Sequence, residues 1–199
     1  MADWDLDNPL LAENLQKILR EIRDKALRRE RLNLAAIRSW HFAMMEGLDV
    51  PPGAAEGVFR GEPPLRRCEV RIGKHRGTRP GQVANELAEF ESTMERVINK
   101  LDVSVAPNEL PDEDGLLAVI ETCAWAHSEW VRIHPFANGN GRTARLLANA
   151  IAMRYGLPPF VRLRPRPGDP YGMVADASMG GNWAPTVVLF HEMLDDCLK

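Results

Sequence analysis

The sequence predicts a mostly α-helical fold with one small β element. Across most of the chain apolar residues return every 3.6 positions, the mark of helices that bury one face. One stretch, residues 58–81, abandons that period: its "CEVRI" alternates apolar and charged residues, as a half-exposed strand does. Gly and Pro clusters separate the periodic segments, and no internal repeat or low-complexity run is present.

Taken in order, residues 8–30 carry Leu11, Leu15, Ile18, Leu19, Ile22 and Leu27 on one stripe, with Pro9 suited to a first helical turn. A second helical pattern, 32–45, runs through Leu34, Ile37, Trp40 and Phe42. It stops at "EGLDVPPGAAEG", which cannot continue a helix. The strand or hairpin at 68–72 is bounded by Pro64, Gly73, Gly77 and Pro80. Helix returns over 82–101, with Val83, Leu87, Phe90, Met94, Val97 and Leu101 on one side, and "APNELPDEDG" is a connector. A helix over 115–133, about 28 Å long at 1.5 Å per residue, carries Leu116, Val119, Ile120, Cys123, His127, Trp130 and Val131. Further helices are expected over 140–155 and 183–198. The chain divides into N-terminal helices, 1–57, and a core, 58–199, within one compact domain.

A chain of 199 residues suits one well-buried core. The net charge of -3 gives no electrostatic reason to expect nucleic acid as a partner. The local basic runs "RRER" and "RLRPR" read as solvated faces. Cys68, Cys123 and Cys197 are odd in number and form no CxxC pair, which argues against a disulfide framework or a zinc cluster. The N-terminus is acidic and lacks a signal-peptide pattern, and no apolar run could span a bilayer, so a cytoplasmic protein with no membrane partner is expected.

The chemistry concentrates in residues 134–145, "HPFANGNGRTAR". Gly139 and Gly141 permit positive φ and close backbone approach, and Asn140 can cap the following helix. Backbone N–H groups at such a helix start form an anion cradle. Arg142 and Arg145, three residues apart, share a helix face and can grip the same anion, with a geometry that suits phosphate. Two Arg plus a cradle exceed what a lone phosphate needs and fit a di- or triphosphate. His134, beside the cradle, can act as general base toward a hydroxyl. Each element alone could be plain structure; the ordered set points to phosphoryl or nucleotidyl transfer.

This stretch resembles the signature of the Fic domain, HxFx(D/E)GNGRxxR, at eleven of twelve positions. The flanking "AHSEWVRIHPF" and "RLLANAIAMRYGLPP" are similar to that family's neighbouring helices, "YGMVADASMGGNW" to its downstream helix, and "FRGEPPLRRCEVRIG" to its flap. The resemblance covers about residues 58–190. It implies a Fic-like helical bundle with a β-hairpin flap, and transfer of AMP from ATP, with Mg²⁺ on the phosphates, to a Ser, Thr or Tyr hydroxyl of a target protein. It implies catalytic roles for His134, Arg142 and Asn140, and nucleotide binding by Phe136, Gly139, Asn140, Gly141, Arg142 and Arg145. Glu69, Val70, Arg71 and Ile72 would be the flap that aligns the target backbone. An antitoxin chain and a second copy of this chain stand as candidate partners.

The family's acidic position is Asn138 here, a metal ligand without formal charge, so Mg²⁺ would be weakly held. A weakened AMP transferase, a transferase of another nucleotide or phosphoryl group, and a non-catalytic nucleotide-binding regulator all remain open. "FAMMEG" partly resembles the family's inhibitory helix, (S/T)xxxE(G/N), with Phe42 at the hydroxyl position. It implies that Glu46 pairs with Arg145 as a brake, against the plainer reading of a solvent-facing Glu. Tyr171 and Met173 could line a nucleobase pocket or simply pack. His127 and Glu129 hint only weakly at zinc. The basic tip "GKHRG" could touch a target or be a solvated turn.

Overall fold

The computed structural model describes residues 8–49, 56–107 and 109–199. Helix α1 spans Pro9–Leu27, α2 Leu34–Met45, α3 Pro80–Ser104, α4 Glu113–Ile133, α5 Asn140–Arg154, α6 Tyr171–Met179 and α7 Ala184–Leu198. A two-stranded antiparallel hairpin, β1 Arg71–Ile72 and β2 His75–Arg76, lies between α2 and α3. The acidic stretch 1–7 and the Pro-Gly break at 50–55, beside the expected division at 57/58, lie outside the described residues.

Helix starts follow side-chain caps. Asn8 Oδ1 accepts from the Leu10 N–H, Asn33 Oδ1 from Ala36, and Asp112 Oδ1 from Gly115. Asn33 as cap explains why α2 begins at 34 rather than 32. Helix α1 ends at Leu27 rather than near Glu30 because Arg29 turns left-handed (φ 50°) and the next N–H groups close back onto Ala26 and Lys25.

Helix α5 is the axis of the molecule. Every residue from Arg142 to Met153 is buried. Helix α4 packs against α5, α3, α6 and α7, while α1 and α2 cover another face of α5. One apolar core runs from Leu11 through Ile37, Val83, Ile120 and Leu147 to Leu194, so the N-terminal helices and the rest share it. A helix buried all round still carries Arg142, Thr143, Arg145 and Asn149. Asn149 exchanges two hydrogen bonds with the backbone of Val161 (2.8 and 2.9 Å), which fixes the segment after α5.

The hairpin is shorter than the expected strand. Arg71 and Ile72 pair with Arg76 and His75, whereas Glu69 and Val70 lie outside the strands. The physical reason lies at the hairpin base. The Cys68 carbonyl accepts from Arg60 Nη1 (3.2 Å), and Thr78 donates its N–H to the Ile133 carbonyl (3.2 Å). The Gly77 N–H still donates to the Val70 carbonyl across the hairpin (3.3 Å), but beyond that bond the legs part, one held by the Arg60 side chain and the other by the end of α4.

Cys68, Cys123 and Cys197 are free thiols, and Cys123 is fully buried in the core. No helix among the described residues is long and apolar enough to cross a membrane.

Candidate active site

The junction between α4 and α5 assembles the motif. Helix α4 ends at His134, whose backbone is left-handed (φ 53°, ψ 57°) and whose N–H closes onto the Trp130 carbonyl. His134 Nδ1 lies 3.1 Å from the Val131 carbonyl oxygen. A carbonyl only accepts, so Nδ1 carries the proton and Nε2 keeps its lone pair. Burial lowers the imidazole pKa to about 4, with the Val131 bond acting upward and the Arg60 charge downward. At neutral pH His134 is therefore an uncharged base in a fixed tautomer.

The connecting loop hangs on Phe136, which is fully buried. Its ring stacks on His41 (3.7 Å between centroids) and tilts against Phe59. Asn140 Oδ1 accepts from the Phe136 N–H, and Asn140 Nδ2 donates to the Phe136 carbonyl, both at 2.9 Å. This corrects the expectation that Asn140 caps α5. The cap position is Gly139 (φ 76°, ψ 0°), no side chain caps the helix, and Asn140 is its first residue. Gly139 is required twice over, since a Cβ there would also sit 2.8 Å from Met44 Cε. Asn140 and Gly141 then present the first N–H groups of α5, which have no partner within a helix.

Arg142 and Arg145 project from α5 and are only 7% and 5% exposed. Arg145 donates to the Tyr171 hydroxyl (3.3 Å) and the Leu163 carbonyl (3.2 Å), while its Nε has no partner. A buried guanidinium held only by neutral groups is costly and favours an anion beside it. Thus the helix start and a buried cation converge on one place.

Tyr171 is interior, 3% exposed. Its hydroxyl is bonded to His127 Nε2 (2.7 Å), and the Arg145 and Arg166 guanidinium groups lie over its ring. Met173 is 71% exposed. The two do not form a shared base pocket; Tyr171 instead orients Arg145. His127 is fully buried, its pKa lowered to about 3 by burial and then by Arg145, and Glu129 pairs with Arg132. Among the described residues no group of three metal-ligating side chains gathers.

Asn138 Oδ1 accepts from the Gly139 N–H (2.7 Å). One neutral oxygen, already bonded to its own loop, does not make a resident Mg²⁺ site. Glu46 ends α2 with its side chain exposed, and its backbone carbonyl accepts from Asn14. No ion pair joins it to Arg145, whose described partners are those above. At the flap tip, Lys74 and His75 both bond Asp176 of α6 (2.9 and 2.7 Å), so that basic turn is engaged within the chain.

Two supports escaped the sequence reading. His41 accepts from the Gly57 N–H at Nδ1 and donates from Nε2 to the Asn138 carbonyl, with its pKa lowered to about 4, chiefly by burial. Arg60, 1% exposed, donates to the carbonyls of His134 and Ile133 (2.7 and 3.0 Å). Both act on backbone groups far along the chain, and no local pattern marks them.

A family model described as the Fic/DOC family matches residues 31–152, well over half of the chain. The protein adenylyltransferase Fic of Drosophila erecta is 38% identical over 109 residues, which are 55% of this chain and 19% of that protein. Its counterpart from Culex quinquefasciatus is 33% identical over 109 residues, 55% of this chain and 18% of that protein. The match thus spans less than a fifth of these curated relatives. Among solved structures, a Fic domain containing signaling protein from Bacteroides thetaiotaomicron superposes with a TM-score of 0.59 at 19% identity, covering 94% of this chain and 72% of that one. The BepC protein of Bartonella tribocorum, with bound AMPPNP, superposes with a TM-score of 0.61 at 16% identity, covering 92% and 85%. These identities speak for the fold alone.

Proposed function

We propose, from the premise that the chain belongs to the Fic/DOC family, that it transfers AMP from ATP to a hydroxyl side chain of a target protein. The observation that supports this most is the pairing of a neutral, tautomer-fixed His134 with a helix start and a buried, carboxylate-free Arg145. In this reading Nε2 of His134 takes the proton of a Ser, Thr or Tyr hydroxyl. The freed oxygen bonds the α-phosphorus, the bond from that phosphorus to the bridging oxygen breaks, and pyrophosphate leaves. The Asn140 and Gly141 N–H groups cradle the phosphates, and Arg142 and Arg145 neutralise charge on the leaving group. Phe136 and the Asn140 side chain hold the loop that sets these distances. Magnesium would arrive on the nucleotide as part of the substrate.

A second reading, a nucleotide-binding regulator without transfer, is favoured by one observation: Asn138 offers a neutral oxygen that is already bonded to Gly139. Labelled ATP separates the two. Protein labelled from the α-phosphate alone supports AMP transfer. Label from the γ-phosphate alone assigns a kinase, and ATP binding without transfer of either label assigns the regulator.

A further inference from the structure

The end of α4 is held from one side by a single residue. The Arg60 N–H donates to the Pro135 carbonyl (2.7 Å), Nε to His134 (2.7 Å) and Nη2 to Ile133 (3.0 Å). Three successive carbonyls, two of them at the helix terminus that lacks internal donors, thus accept from one side chain and its own backbone. A cation at this terminus also meets the negative end of the helix dipole. The fourth bond, from Nη1 to the Cys68 carbonyl (3.2 Å), reaches the base of the flap hairpin.

The other leg of the hairpin returns to the same place. The Thr78 N–H donates to Ile133, and Gly77 sits so close that a Cβ would lie 2.9 Å from His134 Cβ and 3.0 Å from Arg60 Nη2. Both legs of the flap and the left-handed His134 therefore meet at one buried guanidinium. The left-handed backbone is uncommon for a non-glycine residue and persists only when its surroundings enforce it.

We infer that Arg60 is a positioning residue that fixes His134 in its left-handed, Nδ1-protonated state and locks the flap base to the same frame, so that base and flap move as one unit. The inference rests on the reading of His134 as general base. Lysine cannot replace Arg60, because a single ammonium lacks the fork that reaches three carbonyls.

The test uses the full chain with Arg60→Lys and Arg60→Met. The tautomer of His134 is read from its imidazole nitrogen NMR shifts, ATP binding by calorimetry, and transfer with labelled ATP. Wild type should show protonated Nδ1. Both variants should show mixed tautomers, ATP affinity within about 3-fold, and transfer reduced about 100-fold, the scale of a misplaced catalytic group. An unchanged tautomer together with unchanged transfer in folded Arg60→Lys overturns the inference. Should neither variant fold, the wild-type spectrum decides alone: a proton on Nε2 overturns it, and one on Nδ1 with slowed exchange of the Arg60 Nε–H supports it. A tautomer that shifts in a protein that never transfers AMP removes the proposed activity and leaves the positioning role standing.

Discussion

Asn140 offers the sharpest test of how the motif loop is built. As a helix cap, its replacement by Ala would cost about 1 kcal/mol, and by Asp nothing, since Asp caps as well as Asn. In the structure its carboxamide instead satisfies both the N–H and the carbonyl of buried Phe136. Asn140→Ala orphans two buried backbone groups at about 1–3 kcal/mol each, or about 2–6 kcal/mol together. That is a large share of the roughly 5–15 kcal/mol that holds a typical domain. Asn140→Asp keeps the bond from Phe136 N–H but turns the donor facing the Phe136 carbonyl into an acceptor, a loss of about 1–3 kcal/mol at neutral pH. Urea unfolding followed by circular dichroism measures both, with the midpoint falling and the slope unchanged. An Asn140→Asp protein as stable as wild type, beside an Asn140→Ala loss near 1 kcal/mol, would refute the lock and restore the cap.

Acid should weaken the fold through its histidines before its carboxylates. His41, His127 and His134 are pushed from 6.5 to about 4, 3 and 4. Between pH 6.5 and those values the unfolded chain binds protons that the native state does not, so stability present above 6.5 is lost as pH falls. Each histidine adds a slope of up to about 1.4 kcal/mol per pH unit. Asp102 and Glu62, held below the usual carboxylate range by Arg154 and Arg38, act at lower pH. A flat unfolding midpoint from pH 7 to about 4.5 would contradict the three buried neutral imidazoles. Gly61→Ala should cost about 3 kcal/mol or more, because φ is 96° and its Cβ would lie 2.3 Å from the Pro80 carbonyl oxygen. Gly81→Ala, with open space around it, is the control, and the same denaturant midpoints decide.

Helices α1, α3 and α4 were legible because each buries one stripe, and Pro9 and the Pro-Gly breaks punctuate the chain, whereas the Asn33 cap, which starts α2 two residues later than expected, was not read. The motif was legible because its residues are consecutive, so spacing alone sets Arg142 and Arg145 on one face. What escaped was carried by backbone groups. Asn140 read as a cap because Asn caps helices, yet its partner four residues back wins by offering both a donor and an acceptor. The strand read too long because alternation does not reveal that Arg60 takes the Cys68 carbonyl. Tyr171 stood open between a nucleobase pocket and plain packing, because a sequence shows an aromatic ring but not that its hydroxyl is turned inward to His127 and Arg145.

The central claim is that Nε2 of His134 removes the proton from the accepting hydroxyl. Transfer from α-labelled ATP, measured with ATP affinity on the same samples of wild type and His134→Ala, tests it most directly. The account predicts labelled protein with wild type, none above background with the variant, and equal ATP affinity in both. Equal labelling by the His134→Ala protein would contradict it.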